Sequence, residues 1–411
     1  MTTTERASRA DLLLSKRSAR IADELERSAA DGWLIYDFRG SNPAFSRLLG
    51  RPGELKSTRR AFLYLPALGE PRMLIHHVDA GNLARLGLEV RPYGGREEMV
   101  LELRRLLGDA RRVLMEYSPG NAIPYVSRVD GGTLDLVRSL GVEVLSSADA
   151  LASVVAAWDA ADIASHQRAA DALNRCKDGL FSAIQSRLGM GIEFSELEAQ
   201  QHLVRLMQEQ GLEFDHPPIV AVGPHAGDPH YAPAPEVASP IKSGDLVLTD
   251  LWAREKDRLD GGIGAYADIT WMGSAADVVP PEHVKVWETV RAARDAAVSF
   301  IEDRLGAAEP VQGGEVDRVA RDVIVRAGYG KAFTHRTGHS LGWLGAHGDG
   351  VNIDDFETHD TRLLRPGAAF SIEPGIYLAG FGVRSEINVV ITPGSQVKVT
   401  TPPQTELVRL V

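Results

Sequence analysis

Two pairs of acidic residues lie in segments where a solvated carboxylate is out of place. Asp250 sits in the strand-like run Asp245-Leu246-Val247-Leu248-Thr249-Asp250-Leu251-Trp252, and Asp268 in Ala265-Tyr266-Ala267-Asp268-Ile269-Thr270-Trp271. Between them lies Leu259-Asp260-Gly261-Gly262, and Asp-Gly is the strongest short-range hairpin signal. The two aspartates are nearly equidistant from that turn, so paired strands are expected to bring them face to face or nearly so. Glu373, in Ala369-Phe370-Ser371-Ile372-Glu373-Pro374-Gly375-Ile376-Tyr377, and Glu386, in Val383-Arg384-Ser385-Glu386-Ile387-Asn388-Val389-Val390-Ile391, repeat the pattern about a midpoint between Ala379 and Gly380.

Like charges opposed across a strand pair destabilise it, with β-carbons about 5 Å apart. Burial raises the cost and pushes a carboxyl pKa upward. Two hairpins with the same peculiarity point to a compensating cation, and paired divalent ions about 3.5–4 Å apart fit cross-strand spacing. A nitrogen donor is available in Thr334-His335-Arg336-Thr337-Gly338-His339-Ser340-Leu341-Gly342. Asp250, Asp268, Glu373 and Glu386 with a neutral His339 carry four negative charges, which two divalent cations balance.

The elements that must position these groups divide the chain near residue 155. Up to there, helical periodicity over 9–30 and 133–140 alternates with strand patterns at 32–36, 61–65, 72–75, 112–115 and 142–145, an α/β arrangement with no phosphate-cradling glycine loop. Beyond it, helices are expected over 160–188, ending at Gly189 and Gly191, from a Ser195/Glu198 capping box to Gly211, over 281–305, and over 315–327 with Gly328 as C-cap. The 411 residues, 44% hydrophobic and 25% charged, suit two globular domains, 1–155 and 156–411. A net charge of −11 argues against a nucleic-acid partner. The lone Cys176 reads as a buried, inert thiol. No signal-peptide core or membrane-length apolar stretch is found, so a cytoplasmic protein without a membrane partner is expected.

The order Asp, Asp, His, Glu, Glu in these contexts resembles the pita-bread metallopeptidases. Tyr266-Ala267-Asp268-Ile269-Thr270, Gly338-His339-Ser340-Leu341-Gly342, Glu373-Pro374-Gly375 and Val383-Arg384-Ser385-Glu386 are similar to that family's motifs, and four in order are highly specific. The leading α/β domain points to the aminopeptidase P, prolidase and creatinase branch. The resemblance implies an α/β creatinase-like N-terminal domain followed by an α+β pita-bread catalytic domain. It implies hydrolysis of peptides with proline in second position, as an Xaa-Pro aminopeptidase or Xaa-Pro dipeptidase, by attack of a metal-bridging hydroxide. Manganese is the first choice of metal, with cobalt, zinc or iron as substitutes, and a homodimer is expected.

Carried over position by position, the resemblance has Asp250 chelating one metal, Asp268 and Glu386 bridging both, and His339 and Glu373 holding the other. Glu373 also shuttles the proton as general base. His230 and His347 act on the carbonyl or the tetrahedral intermediate, His335 lines the pocket, and Arg384 holds a substrate carboxylate or orients the bridging ligands. His216, His225 and His359 match no motif and are read as surface or loop residues. Trp252 and Trp343 are read as packing residues, the latter close enough to His347 to line the pocket. The sequence departs from the family in a longer stretch between the two aspartates, over 254–264, and in Trp271 after Ile269-Thr270. The alternatives are a metal-dependent relative acting on a small non-peptide molecule, of the ectoine-derivative hydrolase or dimethylsulfoniopropionate lyase type, and a binding protein on the same scaffold.

Overall fold

The structure, a computed structural model, describes residues 12–50, 57–83, 86–229, 231–258 and 260–411. The chain divides into two compact units, Met1–Val155 and Ala156–Val411.

The first unit is built on strands β1 (Gly32–Phe38), β2 (Arg60–Pro66), β3 (Arg72–His76), β4 (Glu89–Tyr93), β5 (Arg112–Met115) and β6 (Glu143–Ser146), in the sheet order β4-β3-β2-β1-β5-β6. The β1–β2 and β2–β3 pairs are antiparallel and the other pairs are parallel. Alternate residues serve two separate cores. Trp33, Ile35, Leu63 and Ile75 pack on one face, and Leu34, Tyr36, Phe62 and Leu74 on the other. Burial on both faces explains why these strands read as continuous apolar runs. The partly exposed strand β4 and the Arg96–Leu107 helix carry no comparable run, and neither is among the elements expected from the sequence. Of the helix expected over 9–30, residues 9–11 lie outside the described residues, and the rest forms two pieces, Leu13–Lys16 and Ser18–Arg27, interrupted at Arg17.

The second unit contains the capping box read from Ser195 and Glu198. Glu198 N–H donates to Ser195 Oγ, and Ser195 N–H donates to Glu198 Oε2 at 2.8 Å. That helix runs Glu196–Glu209, short of Gly211. The long helix Ala160–Met190 passes through Gly189 and ends only at Gly191, whose left-handed φ of 66° no β-carbon opposes. Helices Pro281–Gly306 and Gly313–Arg326 lie close to their expected bounds. No described helix is long and apolar enough to cross a membrane.

Ten further strands follow: β7 (Leu212–Glu213), β8 (Ile219–Val222), β9 (Leu246–Glu255), β10 (Ala267–Ser274), β11 (Ala369–Ile372), β12 (Gly375–Tyr377), β13 (Gly382–Arg384), β14 (Ile387–Ile391), β15 (Val397–Val399) and β16 (Val408–Arg409). They form the sheets β16-β10-β9-β7, with β8 also on β9, then β11-β14-β15 and β12-β13. β9 and β10 pair antiparallel about position 260, so Asp250 faces Thr270 and Asp268 faces Trp252. The aspartates are therefore diagonal neighbours on one face rather than opposed, because the ladder pivots one residue later than their midpoint. A diagonal pair stands about 7–8 Å apart, which halves none of the burial cost but relieves direct repulsion. In the second hairpin Ile372 pairs with Ile387 and Gly375 with Arg384, a single register that sets Glu373 opposite Glu386 where the ladder is interrupted.

One buried carboxyl in the first unit has no part in this arrangement. Glu116 is fully buried; Trp33 Nε1–H and Asn42 Nδ2–H donate to it at 2.7 Å each, and Ser147 Oγ–H at 3.2 Å. Burial, only partly offset by these donors, pushes its pKa up from 4.5 to about 7. A folded-state pKa above the unfolded value means that the folded form holds the extra proton. Stability from this group is complete below pH 4.5 and is lost as pH rises through about 7. Carboxyl NMR of the labelled protein should show Glu116 titrating near pH 7. Amide exchange in β1 should accelerate between pH 5 and 8 beyond its intrinsic pH dependence, and Glu116→Gln should remove that excess.

Candidate metal centre

The two ribbons bring Asp250, Asp268, Glu373 and Glu386 together with His339 in one pocket of about 570 Å³, whose walls also include His335, Arg336, His347, Glu357, Arg384, Asp215 and Trp252. His339 belongs to a short bridged segment. Its N–H donates to Ser371 Oγ at 2.9 Å, and Ser371 N–H donates to its carbonyl at 2.8 Å. Gly338 is required just before it, since a β-carbon there would fall 2.0 Å from Ser371 O. His339 Nδ1 lies 3.0 Å from Ser340 O, which assigns the proton to Nδ1 and leaves Nε2 facing the carboxylates. Nε2 stands 3.5 Å from Asp268 Oδ2 and 3.4 Å from Glu373 Oε1.

Neighbouring side chains satisfy one oxygen on three of the four carboxylates, Asp250, Glu373 and Glu386. Thr270 Oγ–H donates to Glu386 Oε2 at 2.9 Å, and Ser371 Oγ–H to Glu373 Oε1 at 3.0 Å. Arg384 is buried and committed three ways: Nη2 to Asp250 Oδ2, Nε to Thr270 Oγ1 and Nη1 to Tyr377 OH. Asn388 ties the ribbons together, its amide accepting from Asp268 N–H at 2.9 Å and donating to Asp268 O at 2.7 Å. Asp250 Oδ1, Asp268 Oδ1 and Glu386 Oε1 remain buried with no hydrogen-bond partner.

The electrostatics follow from this packing. Burial pushes Asp268 up to about 7 and Glu386 well above the carboxylate range, with the neighbouring carboxylates adding to both. Burial raises Asp250 also, against the pull of Arg384. For Glu373 burial is outweighed by His339, His335 and Arg384, and its pKa falls. His347 is held neutral, down to about 3, by His339 beside it and then by burial. Three unpartnered buried oxygens in one cluster are what a divalent cation would satisfy, and Asp268, His339 and Glu386 offer atoms all within 4.8 Å of one another. The donor set, oxygen-rich with one imidazole, fits such an ion.

Of the residues singled out from the sequence, Asp250, Asp268, His335, His339, His347, Glu373, Arg384 and Glu386 share this pocket. His230 lies outside the described residues. Trp252, read as a packing residue, lines the pocket, its Nε1–H donating to Asp215 Oδ1 at 2.8 Å. His216, read as a surface or loop residue, lines the pocket as well and keeps a largely exposed side chain. His225, read the same way, stacks on Tyr231 at 4.2 Å and pairs at 2.9 Å with the fully buried Glu196. Glu196 also accepts from Val222 N–H, Ser239 N–H and Tyr231 O–H, tying down the segment on either side of residue 230. Arg336 and Glu357 were missed. Arg336 Nη2 lies 3.4 Å from His347 Nδ1, and Arg336 N–H donates to Glu357 Oε1 at 3.0 Å. The only signal for Arg336 was its place beside His335, and Glu357 had none.

Fold and site together are those of the pita-bread class. The model of metallopeptidase family M24 matches residues 164–393, and the chain belongs to that family. It is 35% identical over 179 residues to an Xaa-Pro dipeptidase of Lactobacillus helveticus, a match covering 42% of each chain. The chain spans about half the length of the first curated relatives it matches, 53% and 42%. Among solved structures, dipeptidase PepE of Mycobacterium ulcerans superposes with a TM-score of 0.69 at 25% identity, over 97% of this chain and 98% of that one. A prolidase of Thermococcus sibiricus shares the fold with a TM-score of 0.61 at 23% identity, over 96% and 98%.

Cation binding requires deprotonated ligands, whereas Asp268 and Glu386 hold protons near neutral pH when no ion offsets their burial. Titration of chelator-treated protein with Mn²⁺, by calorimetry in buffers of different ionisation enthalpy, should show net proton release. The release should shrink as pH rises past about 7. Asp268→Asn should weaken binding by about tenfold or more; unchanged affinity in that variant would count against the assignment.

Proposed function

We propose that this chain is a two-metal Xaa-Pro peptidase in which Asp250, Asp268, His339, Glu373 and Glu386 hold the ions. The observation that carries the reading is the set of three buried, unpartnered carboxylate oxygens beside His339 Nε2. The named Xaa-Pro dipeptidase relative supports the substrate class. When bound, two divalent cations, manganese first, supply a Lewis acid for the scissile carbonyl and acidify water to a pKa near about 7.

The chain's own groups do the rest. Glu373 keeps a depressed pKa and is ionised at neutral pH, as a general base must be, and Ser371 fixes its carboxylate from one side. His347, neutral and accepting from Arg336 at Nδ1, presents Nε2–H to a developing oxyanion. His335 Nδ1–H donates to Arg336 O at 2.6 Å, its Nε2 accepts from Tyr377 O–H 2.7 Å away, and Tyr377 OH in turn accepts from Arg384. Arg384 thereby serves to orient Asp250 and Thr270 rather than to clamp a substrate carboxylate. His230 keeps the role that the family resemblance implies. The cytoplasmic homodimer belongs to this reading as well, and sedimentation of the purified chain checks its dimeric part.

Metal-loaded protein should hydrolyse Xaa-Pro dipeptides or longer Xaa-Pro peptides and spare the same peptides with alanine in second position. Glu373→Gln should lower kcat by about 10²–10⁴-fold with KM nearly unchanged. Near-full turnover in that variant would overturn the mechanism. Failure of metal-loaded protein on every peptide would overturn the substrate class in favour of a small non-peptide molecule.

A further inference from the structure

Between β9 and β10 the chain runs out to the Asp260-Gly261 turn, and side chains there reach back to the start of the Ala160–Met190 helix. Arg258 Nη1–H donates to Asp162 Oδ1 at 2.8 Å and to Ile263 O at 3.1 Å, and both side chains of the ion pair are about nine-tenths buried. Nearly two turns along the helix, Arg168 grips Glu255 with two bonds of 2.7 and 2.8 Å. The same Asp162 Oδ1 accepts a second bond, from Trp343 Nε1–H at 3.0 Å.

Trp343 lies in the turn over residues 341–347. Leu341 and His347 bridge across that turn, and Gly342 N–H donates to Ala346 O at 3.0 Å. Tyr266 N–H donates to Gly342 O at 3.0 Å, and Arg254 Nη1–H donates to Trp343 O. The indole packs with Trp158, Leu341 and Ile263. The far side of the same turn, Gly345, Ala346 and His347, forms a wall of the pocket. An unbroken series of bonds therefore runs from the hairpin extension through Arg258, Asp162 and Trp343 to the turn that carries His347.

We infer that Arg258 and Asp162 are positioning residues, which brace the 341–347 turn through Trp343 and so hold His347 at the pocket wall. A buried ion pair contributes little net stability, and its better-attested use is to fix one arrangement among several. The stretch over 254–264 thus acts as a brace inside its own domain. The role assigned to His347 rests on the peptidase reading; the ordering of the turn does not.

The test is a double-mutant cycle in the full chain. Trp343→Phe removes one hydrogen bond and keeps the ring, and Arg258→Ala removes the pair. Each should lower kcat by about fivefold to tenfold with KM and metal content unchanged, and Arg258→Lys should recover part of the loss. In a His347→Ala background the same changes should cost less than about twofold, because their effect passes through that imidazole. Amide exchange at Gly342 and Gly348 should rise about tenfold in Arg258→Ala whatever the substrate proves to be. Additive effects on kcat, or loss of bound metal, would make the network merely structural and overturn the inference. Unchanged exchange in the turn would overturn it even if no peptide were cleaved, whereas faster exchange in a protein that cleaves no peptide would fault only the peptidase reading.

Discussion

Four carboxylates converge in a space from which water is largely excluded, and the catalytic unit is organised around that repulsion. Burial alone would protonate most of them, and it drives Asp268 and Glu386 well above the ordinary range. The protein offsets part of the cost with groups that cannot move away. Arg384 faces Asp250, Thr270 faces Glu386 and Ser371 faces Glu373. The compensation stops at one oxygen on each of three side chains. That incompleteness is what the proposed cations would fill, and a self-sufficient buried ion-pair network would be expected to satisfy these oxygens itself.

Two β-ribbons make the convergence affordable in backbone terms. Asp250 and Asp268 emerge from strands and Glu373 and Glu386 from two-residue gaps between buried strands, so buried β-structure rather than a long loop sets their directions. The ribbons lie in different sheets, and the amide of Asn388 bonds both backbone groups of Asp268, as an adjacent strand would. Rigid elements of this kind hold ligands to tighter tolerances than loops do. The 341–347 turn is the exception, being a loop that contributes His347, and it is the part of the site with the most elaborate external support.

Much of this was legible in the sequence because the chemistry there conflicts with the local pattern. An aspartate within Val247–Trp252 or a glutamate after Phe370-Ser371-Ile372 violates the apolar logic of its strand, and such conflicts mark functional positions. The hairpin arithmetic for Glu373 and Glu386 matched the observed register, whereas that for the aspartates was off by two, because the ladder pivots at Asp260 itself rather than before it. The groups that escaped notice act through long-range contacts without any local oddity. Asn388 looks like an ordinary polar strand residue, Glu196 like the first residue of a helix, and Arg336 and Glu357 like solvated charges until the fold folds them onto one wall. The residues between Asp250 and Asp268 were visible as an extension, but only the fold shows Arg258 bound to Asp162.

The Asn388 stitch has a chemical liability. Its amide nitrogen donates to Asp268 O, and exchanging that nitrogen for oxygen would set two acceptors against each other at 2.7 Å. Spontaneous deamidation does this without any change in the gene, and it would add a fifth negative charge beside the most crowded part of the centre. The bulky, β-branched Val389 that follows and the complete burial of Asn388 both oppose the backbone attack that starts the reaction. The packing that makes the stitch intolerant of that exchange is therefore also what protects the amide from it.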